Sequence, residues 1–149
     1  KTLGGTYFET VLQVVQAQLS EIGITSTIEG MDGNALVNDC ITGNFTFADM
    51  GQTMGLDYDF IKTYFNEEYV NGLNMSRYTD STIQDLFNQA ASTTDQDTRL
   101  EIYQQIEDLT QEACAYIPLY ITQSNAAWNK DLNYTPSVTG VLYKDCSWK

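Results

Sequence analysis

The chain has 149 residues and is 42% hydrophobic and 12% aromatic, which suits one domain with a single core and excludes a disordered chain. With 20 acidic residues against 7 basic residues and no histidine, the net charge is −13, which excludes a surface built to bind nucleic acid. No apolar run approaches the ~18 residues that a membrane span needs. A signal peptide and an initiator methionine are both missing, so we expect a processed or excised piece.

Helices and strands alternate in the first third of the chain. A capping box at 6–9 predicts a helix over about 7–21 that ends at Gly23, with an apolar face formed by Phe8, Val11, Leu12, Val15, Leu19 and Ile22. Residues 24–29 are predicted to form a strand. A second helix follows over about 33–42, with an inward face of Leu36, Val37, Cys40 and Ile41. Residues 45–51 are predicted to form a strand in the middle of a covered sheet.

This order predicts parallel strands joined by crossover helices, and therefore an α/β fold. A polar loop at 51–56 follows the presumed central strand, residues 57–65 have the pattern of one to three helical turns, and 66–79 are irregular.

Two further helices and a short strand are predicted downstream. Asp80 or Ser81 caps a helix whose inward face is Ile83, Leu86, Phe87 and Ala90. The longest helix spans about 96–113, capped by Asp95 or Asp97, with an inward face of Leu100, Tyr103, Ile106 and Leu109. Residues 116–122 are predicted to form a strand, and the tail at 125–149 has short strand patterns at 126–128 and 138–142.

Catalytic and metal-binding signatures are missing from the sequence. Without histidine there is neither the usual general base nor the commonest zinc ligand, and no phosphate-binding glycine loop occurs. The paired acids are typical of a solvated surface, and the D-x-D at 95–97 lacks the glycine and glutamate of a calcium loop. We therefore expect no enzyme, no metal and no cofactor. Cys40 and Cys114 are predicted on apolar helix faces, and one disulfide that uses Cys146 is the alternative.

Several short segments occur in the order and spacing of one protein family. They are V-V-Q-A-Q-L-S-E-I-G-I at 14–24, G-N-F at 43–45, D-Y-D-F at 57–60, N-G-L-N at 71–74, R-x-x-x-Y at 99–103, Y-I-P-L-Y at 116–120 and V-T-G at 138–140. Together they resemble the oligopeptide/dipeptide-binding family of extracellular solute-binding proteins, which serve ABC importers. Tyr58 departs from the family's proline in D-P-D, and Gln52 stands where an aromatic residue often occurs.

The resemblance implies a two-lobed protein whose lobes close on a ligand. It places residues 1–149 as a single periplasmic-binding-protein-like lobe, the carboxy-terminal one, with a mostly parallel mixed sheet flanked by helices and an irregular tail at 125–149 that returns toward the missing lobe. Residues 1–3 are the expected remnant of the lobe's first strand. The implied partners are a short peptide or another small solute, the amino-terminal lobe and an ABC permease. The implied location is extracytoplasmic, in a periplasm or lipid-anchored at the outer face of the membrane.

The expected ligand site is the loop after the central strand, since ligands of open α/β sheets bind beyond the strand carboxyl ends. In family members that bind peptides, an aspartate in this loop pairs with the ligand's α-amino group. The candidates here are Asp57 or Asp59. Each is alternatively a helix cap. The sequence does not decide between cap and ligand contact for Asp57, and it favours the cap for Asp59. The supporting ligand residues are Gln52, Thr53, Met54, Tyr58, Asn74 and Arg77.

Two of these assignments, and one further basic residue, have structural alternatives. Loop hydrogen bonding is the preferred role of Asn74 and Arg77. Arg99 is interpreted as a partner of Asp95 or Tyr103 on its own helix. The leading functional hypothesis is one lobe of a peptide-binding component of an ABC importer. A free-standing α/β module that binds a protein partner is the alternative, and a hydrolase that holds a metal with acids alone is a third hypothesis.

Overall fold

A computed structural model describes residues 1–53, 55, 57–123, 125–137, 144 and 146–149. The chain separates into two compact units, Lys1–Ile117 and Pro118–Lys149. The first unit contains every α-helix of the described residues together with a small parallel sheet, so the predicted α/β class is confirmed. That residues 1–149 form one lobe stays a prediction.

A β-α-β-α run opens the first unit. Strand β1 (Thr2–Leu3) pairs in parallel with β2 (Gly30–Met31), and helix α1 (Tyr7–Glu21) connects them. Helix α2 (Gly33–Thr42) follows at once, and its first backbone N–H groups bond the side chain of Asp32. The predicted parallel pairing across a helical crossover is therefore present, and residues 2–3 form a strand as expected.

The two ends of α1 differ in how well the sequence predicted them. Gly23, at φ 82°, ends the helix as predicted, because its N–H bonds Ser20 O while the next N–H bonds Leu19 O. The capping box at the start is wrong. Thr6 makes no side-chain cap, and the Glu9 carboxylate accepts instead from the N–H of Gly5 at 2.8 Å.

Two predicted strands are not strands in the structure. Residues 24–29 are irregular, because the register places Thr2 opposite Gly30 and leaves 24–28 beyond the amino end of β1. Residues 45–51 are also irregular, although they run beside β1. The amino group of Lys1 bonds Phe47 O at 2.7 Å, and Asp49 N–H bonds Lys1 O at 3.0 Å. Two bonds hold this segment in a parallel arrangement but do not extend into a ladder.

A helical core forms the rest of the first unit. It begins with a 3₁₀ turn at Tyr58–Ile61, the short helix α3 (Lys62–Phe65) and a second 3₁₀ turn at Glu67–Tyr69. Helices α4 (Ser81–Ser92) and α5 (Gln96–Ala113) then pack against each other. The buried side chains are Tyr64, Phe65, Ile83, Leu86, Phe87, Ala90, Ile102, Tyr103 and Ile106. The predicted helical turns at 57–65 and the whole inward face of α4 are confirmed.

The buried face of α5 agrees with the prediction at Tyr103 and Ile106 and differs at its margins. Ile102 and Thr110 are buried, whereas Leu100 is 40% exposed. The physical reason is that α4 covers the stripe centred on Tyr103 and Ile106, and Leu100 lies at its margin. Helix α2 buries Leu36 and Cys40, while its predicted core residue Val37 is 39% exposed.

Helix α1 has no buried residue. Its predicted inward face is half-buried along the helix, and Ile22 at its end is 72% exposed. Each strand of the neighbouring sheet is two residues long, so the sheet is too small to cover a helix of 15 residues. The predicted apolar face is therefore the better covered side of α1 as far as Leu19, although none of its residues is fully buried.

The second unit holds a short antiparallel pair, β3 (Leu132–Asn133) and β4 (Ser147–Trp148). The predicted strands at 116–122 and 126–128 are irregular, because their backbone groups meet no neighbouring strand in the described part of the chain. The strand predicted at 138–142 lies outside the described residues. The rings of Trp128 and Tyr134 meet edge-on, with their centres 4.9 Å apart.

Two cysteines show different outcomes. Cys40 is 1% exposed, and burial raises the pKa of its thiol, so it behaves as the small hydrophobe that the sequence predicts. Cys114 is exposed rather than on an apolar face, because it ends α5 in a left-handed conformation with φ 51°. None of the helices in the described ranges has the length and apolar content of a membrane span.

Candidate functional site

The loop at 51–57 leads to a shallow, open depression of about 380 Å³. The depression is lined by Gly55, Asp57, Asp59, Phe60, Lys62, Thr63 and Tyr69. The loop follows the segment that runs beside β1, so it leaves the sheet at the carboxyl end of the parallel strands. The rule for open α/β sheets places ligands beyond the carboxyl ends of the strands, and a ligand site at this loop stays a prediction.

Asp57 is engaged by its own chain. Its carboxylate accepts from Arg99 through Nη2–Oδ1 at 2.8 Å and Nη1–Oδ2 at 3.3 Å. Oδ1 also accepts from the N–H of Asp59 at 2.9 Å, which caps the 3₁₀ turn. These bonds, the guanidinium first, lower the pKa of Asp57 and keep it ionised. The cap that the sequence allows for Asp57 is present, and its pairing with a ligand ammonium stays a prediction.

Asp59 is not the cap that the sequence favours. It accepts a hydrogen bond from the hydroxyl of Tyr103 at 2.7 Å, because the turn aims its side chain at α5. Burial and this bond to a carboxylate raise the pKa of Tyr103 to about 12, so the phenol stays protonated and donates.

Arg99 reaches further than the sequence predicts. Its guanidinium carbon lies 5.3 Å from the centre of the Tyr103 ring, which is the predicted contact one turn along the helix. Its charge partner, however, is Asp57, which is 42 residues away in the chain, rather than Asp95. Asp95 caps α5 through Thr98 N–H and the Thr98 hydroxyl.

Asn74 and Arg77 take the loop roles that the sequence prefers for them. Asn74 is fully buried, and its Nδ2 donates to Asn66 O at 3.3 Å and Tyr78 O at 3.0 Å. Arg77 donates through Nη2 to Ile41 O at 2.9 Å, a carbonyl in the last turn of α2, where a cation is favoured. Neither residue lines the depression.

The remaining predicted ligand residues are on the surface. Gln52 and Thr53 are exposed, and Met54 lies outside the described residues. Tyr58 is 63% exposed, and its ring lies 5.7 Å from the ring of Tyr103. Gln52, Thr53 and Tyr58 are therefore presented to solvent, and none of them lines the depression.

The sequence reasoning did not link the two motifs that meet here. In the D-Y-D at 57–59 the acids are two positions apart, and in the R-x-x-x-Y at 99–103 the donors are one helical turn apart. The matching spacings of the two acceptors and the two donors were the sequence signal that could have predicted their pairing. In the described ranges, no cluster of three or more acids or cysteines is arranged to hold a metal ion.

Comparison with known proteins confirms the fold. No family model and no curated protein matches the sequence significantly. Among solved structures, HbpA2 from Haemophilus parasuis superposes with a TM-score of 0.76 at 24% identity over 94% of this chain. A periplasmic binding protein associated with an ABC transporter, DppA from Helicobacter pylori in complex with the peptide STSA, gives 0.71 at 24% identity over 79%. The ABC transporter substrate-binding protein CtaP from Listeria monocytogenes gives 0.67 at 29% identity over 73%.

This chain spans 28%, 24% and 23% of the lengths of those three proteins. It has the fold of part of a substrate-binding protein of ABC transporters. At the level of the fold, the resemblance to the oligopeptide/dipeptide-binding proteins is therefore confirmed.

Proposed function

We propose that this chain is the carboxy-terminal, ligand-binding lobe of the substrate-binding component of an ABC importer. The component captures a short peptide or a related small solute between two lobes and delivers it to a membrane permease. It works outside the cytoplasm, either in a periplasm or anchored by lipid at the outer face of the cell membrane. The chain binds and performs no reaction.

The main support is the place of the 51–57 loop at the carboxyl end of the parallel strands, in a fold shared with two ABC transporter binding proteins. The depression beside it is lined by both charge signs, with Lys62 next to Asp57 and Asp59. A short peptide is a zwitterion, so a mixed lining suits it better than a surface of one sign. The STSA peptide in the Helicobacter pylori relative is of this class.

Half of a clamp binds weakly, because a cleft ligand is normally enclosed on most of its surface. A depression of about 380 Å³ that opens widely to solvent provides one wall. The proposal therefore assigns the opposite wall to a second lobe that closes on the first about a hinge.

Calorimetry on two samples tests the proposal. One is the full protein encoded by the reading frame that contains this chain, and the other is residues 1–149 alone. A pool of short synthetic peptides that includes STSA should bind the full protein and not the isolated chain. The absence of peptide binding by the full protein, or equally tight binding by residues 1–149, contradicts the proposal.

The reading frame also separates this function from that of a free-standing interaction module. A two-lobed binding protein requires a further lobe upstream and an export signal ahead of it. A frame that encodes neither would favour the module. Its binding surface would then be the uncovered face of α1, where Tyr7 and Val14 are more than half exposed.

A further inference from the structure

Two polar contacts attach helix α5 to the turn that borders the depression. Arg99 donates to both carboxylate oxygens of Asp57, and the hydroxyl of Tyr103 donates to Asp59. We call these four side chains the α5 clasp. Because the donors are one helical turn apart and the acceptors flank Tyr58, the clasp fixes the orientation of the turn as well as its position.

The α5 end of the clasp is held firmly. Tyr103 is 6% exposed and belongs to the same core as its neighbours Ile102 and Ile106. The Arg99 guanidinium lies over the Tyr103 ring, so its side chain is supported along one face. Packing thus places both donors before any ligand arrives.

The turn passes this placement on to the loop. Gly55 lies against Phe60, since a Cβ at Gly55 would be 3.4 Å from the Cβ of Phe60. Phe60 in turn meets Tyr64 of the core edge-on, with ring centres 5.7 Å apart. Gly55 and Asp57 are therefore both tied to the core.

Both oxygens of Asp57 are already used within the chain. Oδ1 accepts two hydrogen bonds and Oδ2 accepts one, so a ligand ammonium would meet a carboxylate whose charge a guanidinium already balances in part. This favours a role as an anchor over a direct grip on the ligand. Besides the exposed Gln52, Thr53 and Tyr58, the depression itself offers Lys62 to the ligand.

We propose that Arg99 and Tyr103 are positioning residues for ligand binding, which hold the turn at 57–59 so that Tyr58 and the depression lined by this turn meet the ligand already ordered. This inference depends on the proposed function. A loop that is ordered beforehand loses less conformational freedom on binding, so a broken clasp weakens affinity without removing a ligand contact.

Variants of the full protein that remove the contacts of the clasp test the inference. Tyr103→Phe removes the hydroxyl that bonds Asp59, and Arg99→Gln removes the charge that bonds Asp57. Each should bind the peptide pool that includes STSA about tenfold more weakly. Amide hydrogen exchange of residues 57–61 should become faster in both, with or without peptide.

The matched control is Tyr116→Phe. Tyr116 packs on Tyr64 and Phe65 of the same core, and its hydroxyl accepts one hydrogen bond, from Ser76 N–H at 3.2 Å. This variant also loses one hydroxyl contact, but not one to the turn. It should bind peptides as the wild type does, even if its melting temperature falls as far as that of Tyr103→Phe.

A charge exchange separates positioning from direct contact. The double variant Asp57→Arg with Arg99→Asp reverses the pair, and it should recover part of the affinity that Arg99→Asp alone loses. If the affinity stays low although hydrogen exchange at 57–61 returns to the wild-type rate, the Asp57 carboxylate itself grips the ligand, which overturns the inference.

The remaining outcomes are distinct. Clasp variants that bind like the wild type, with lower melting temperatures alone, would show a purely structural clasp and overturn the inference. A wild type that binds no peptide overturns the proposed function instead. In that case the exchange rates at 57–61 still decide whether the clasp orders the turn.

Discussion

Asn74 offers the sharpest test of how the first unit is held together. The sequence places it among the ligand residues, whereas the structure buries it completely. Its amide donates to the carbonyls of Asn66 and Tyr78, and its Oδ1 accepts from the hydroxyl of Ser76 at 3.0 Å. The substitution Asn74→Ala removes all three bonds and leaves two carbonyls without these donors.

The expected cost follows from that inventory. A neutral hydrogen bond contributes about 0.5–1.5 kcal/mol net, and a buried polar group left unsatisfied costs about 1–3 kcal/mol. Because the carbonyls of a surface loop regain some water, we expect Asn74→Ala to lower the free energy of unfolding by about 2–4 kcal/mol. For a chain of this size, that corresponds to a melting temperature lower by about 5–15 °C.

Urea denaturation followed by circular dichroism measures this loss, and calorimetry measures the peptide affinity of the full protein that carries the same substitution. The control Asn88→Ala changes an exposed asparagine of α4 and should be neutral or slightly stabilising, since alanine favours helix. A loss below about 1 kcal/mol for Asn74→Ala would refute the hydrogen-bond argument. Reduced affinity at unchanged stability would instead restore Asn74 to the ligand site.

Three further predictions concern single residues of the first unit. Phe87 is fully buried, so Phe87→Ala should lower the free energy of unfolding by about 3–5 kcal/mol in urea titration. Since the pKa of Tyr103 rises to about 12 on folding, its contribution is intact below pH ~10 and is lost as the pH rises toward 12. Melting curves across that range should show a decline that Tyr103→Phe reduces. Gly43 has φ +77°, and a Cβ there would lie 2.6 Å from Arg77 Nε, so Gly43→Ala should cost about 1–3 kcal/mol. Gly33→Ala, in an open helical position, should be neutral or stabilising.

A rule about position, that ligands bind beyond strand carboxyl ends, selected the 51–57 loop, and its role in ligand binding stays a prediction. Gly55 and Asp57 of that loop line the depression. The sequence offered Asp57 as cap or ligand contact without deciding between them. The deciding group, Arg99, is 42 residues away, and no local pattern pairs residues over that distance.

Local sequence determined the helices of this protein. The spans of α1, α2 and α5, the aspartate cap of α4 and the ending at Gly23 depend on contacts within one turn, so the residues that specify them are neighbours in the chain. Tertiary structure alone decided the strands, because a strand exists where another strand offers its backbone. Residues 24–28 and 116–122 have the composition of strands and no strand partner in the described residues. The α5 clasp belongs to the same class, since packing rather than proximity in sequence brings its two motifs together.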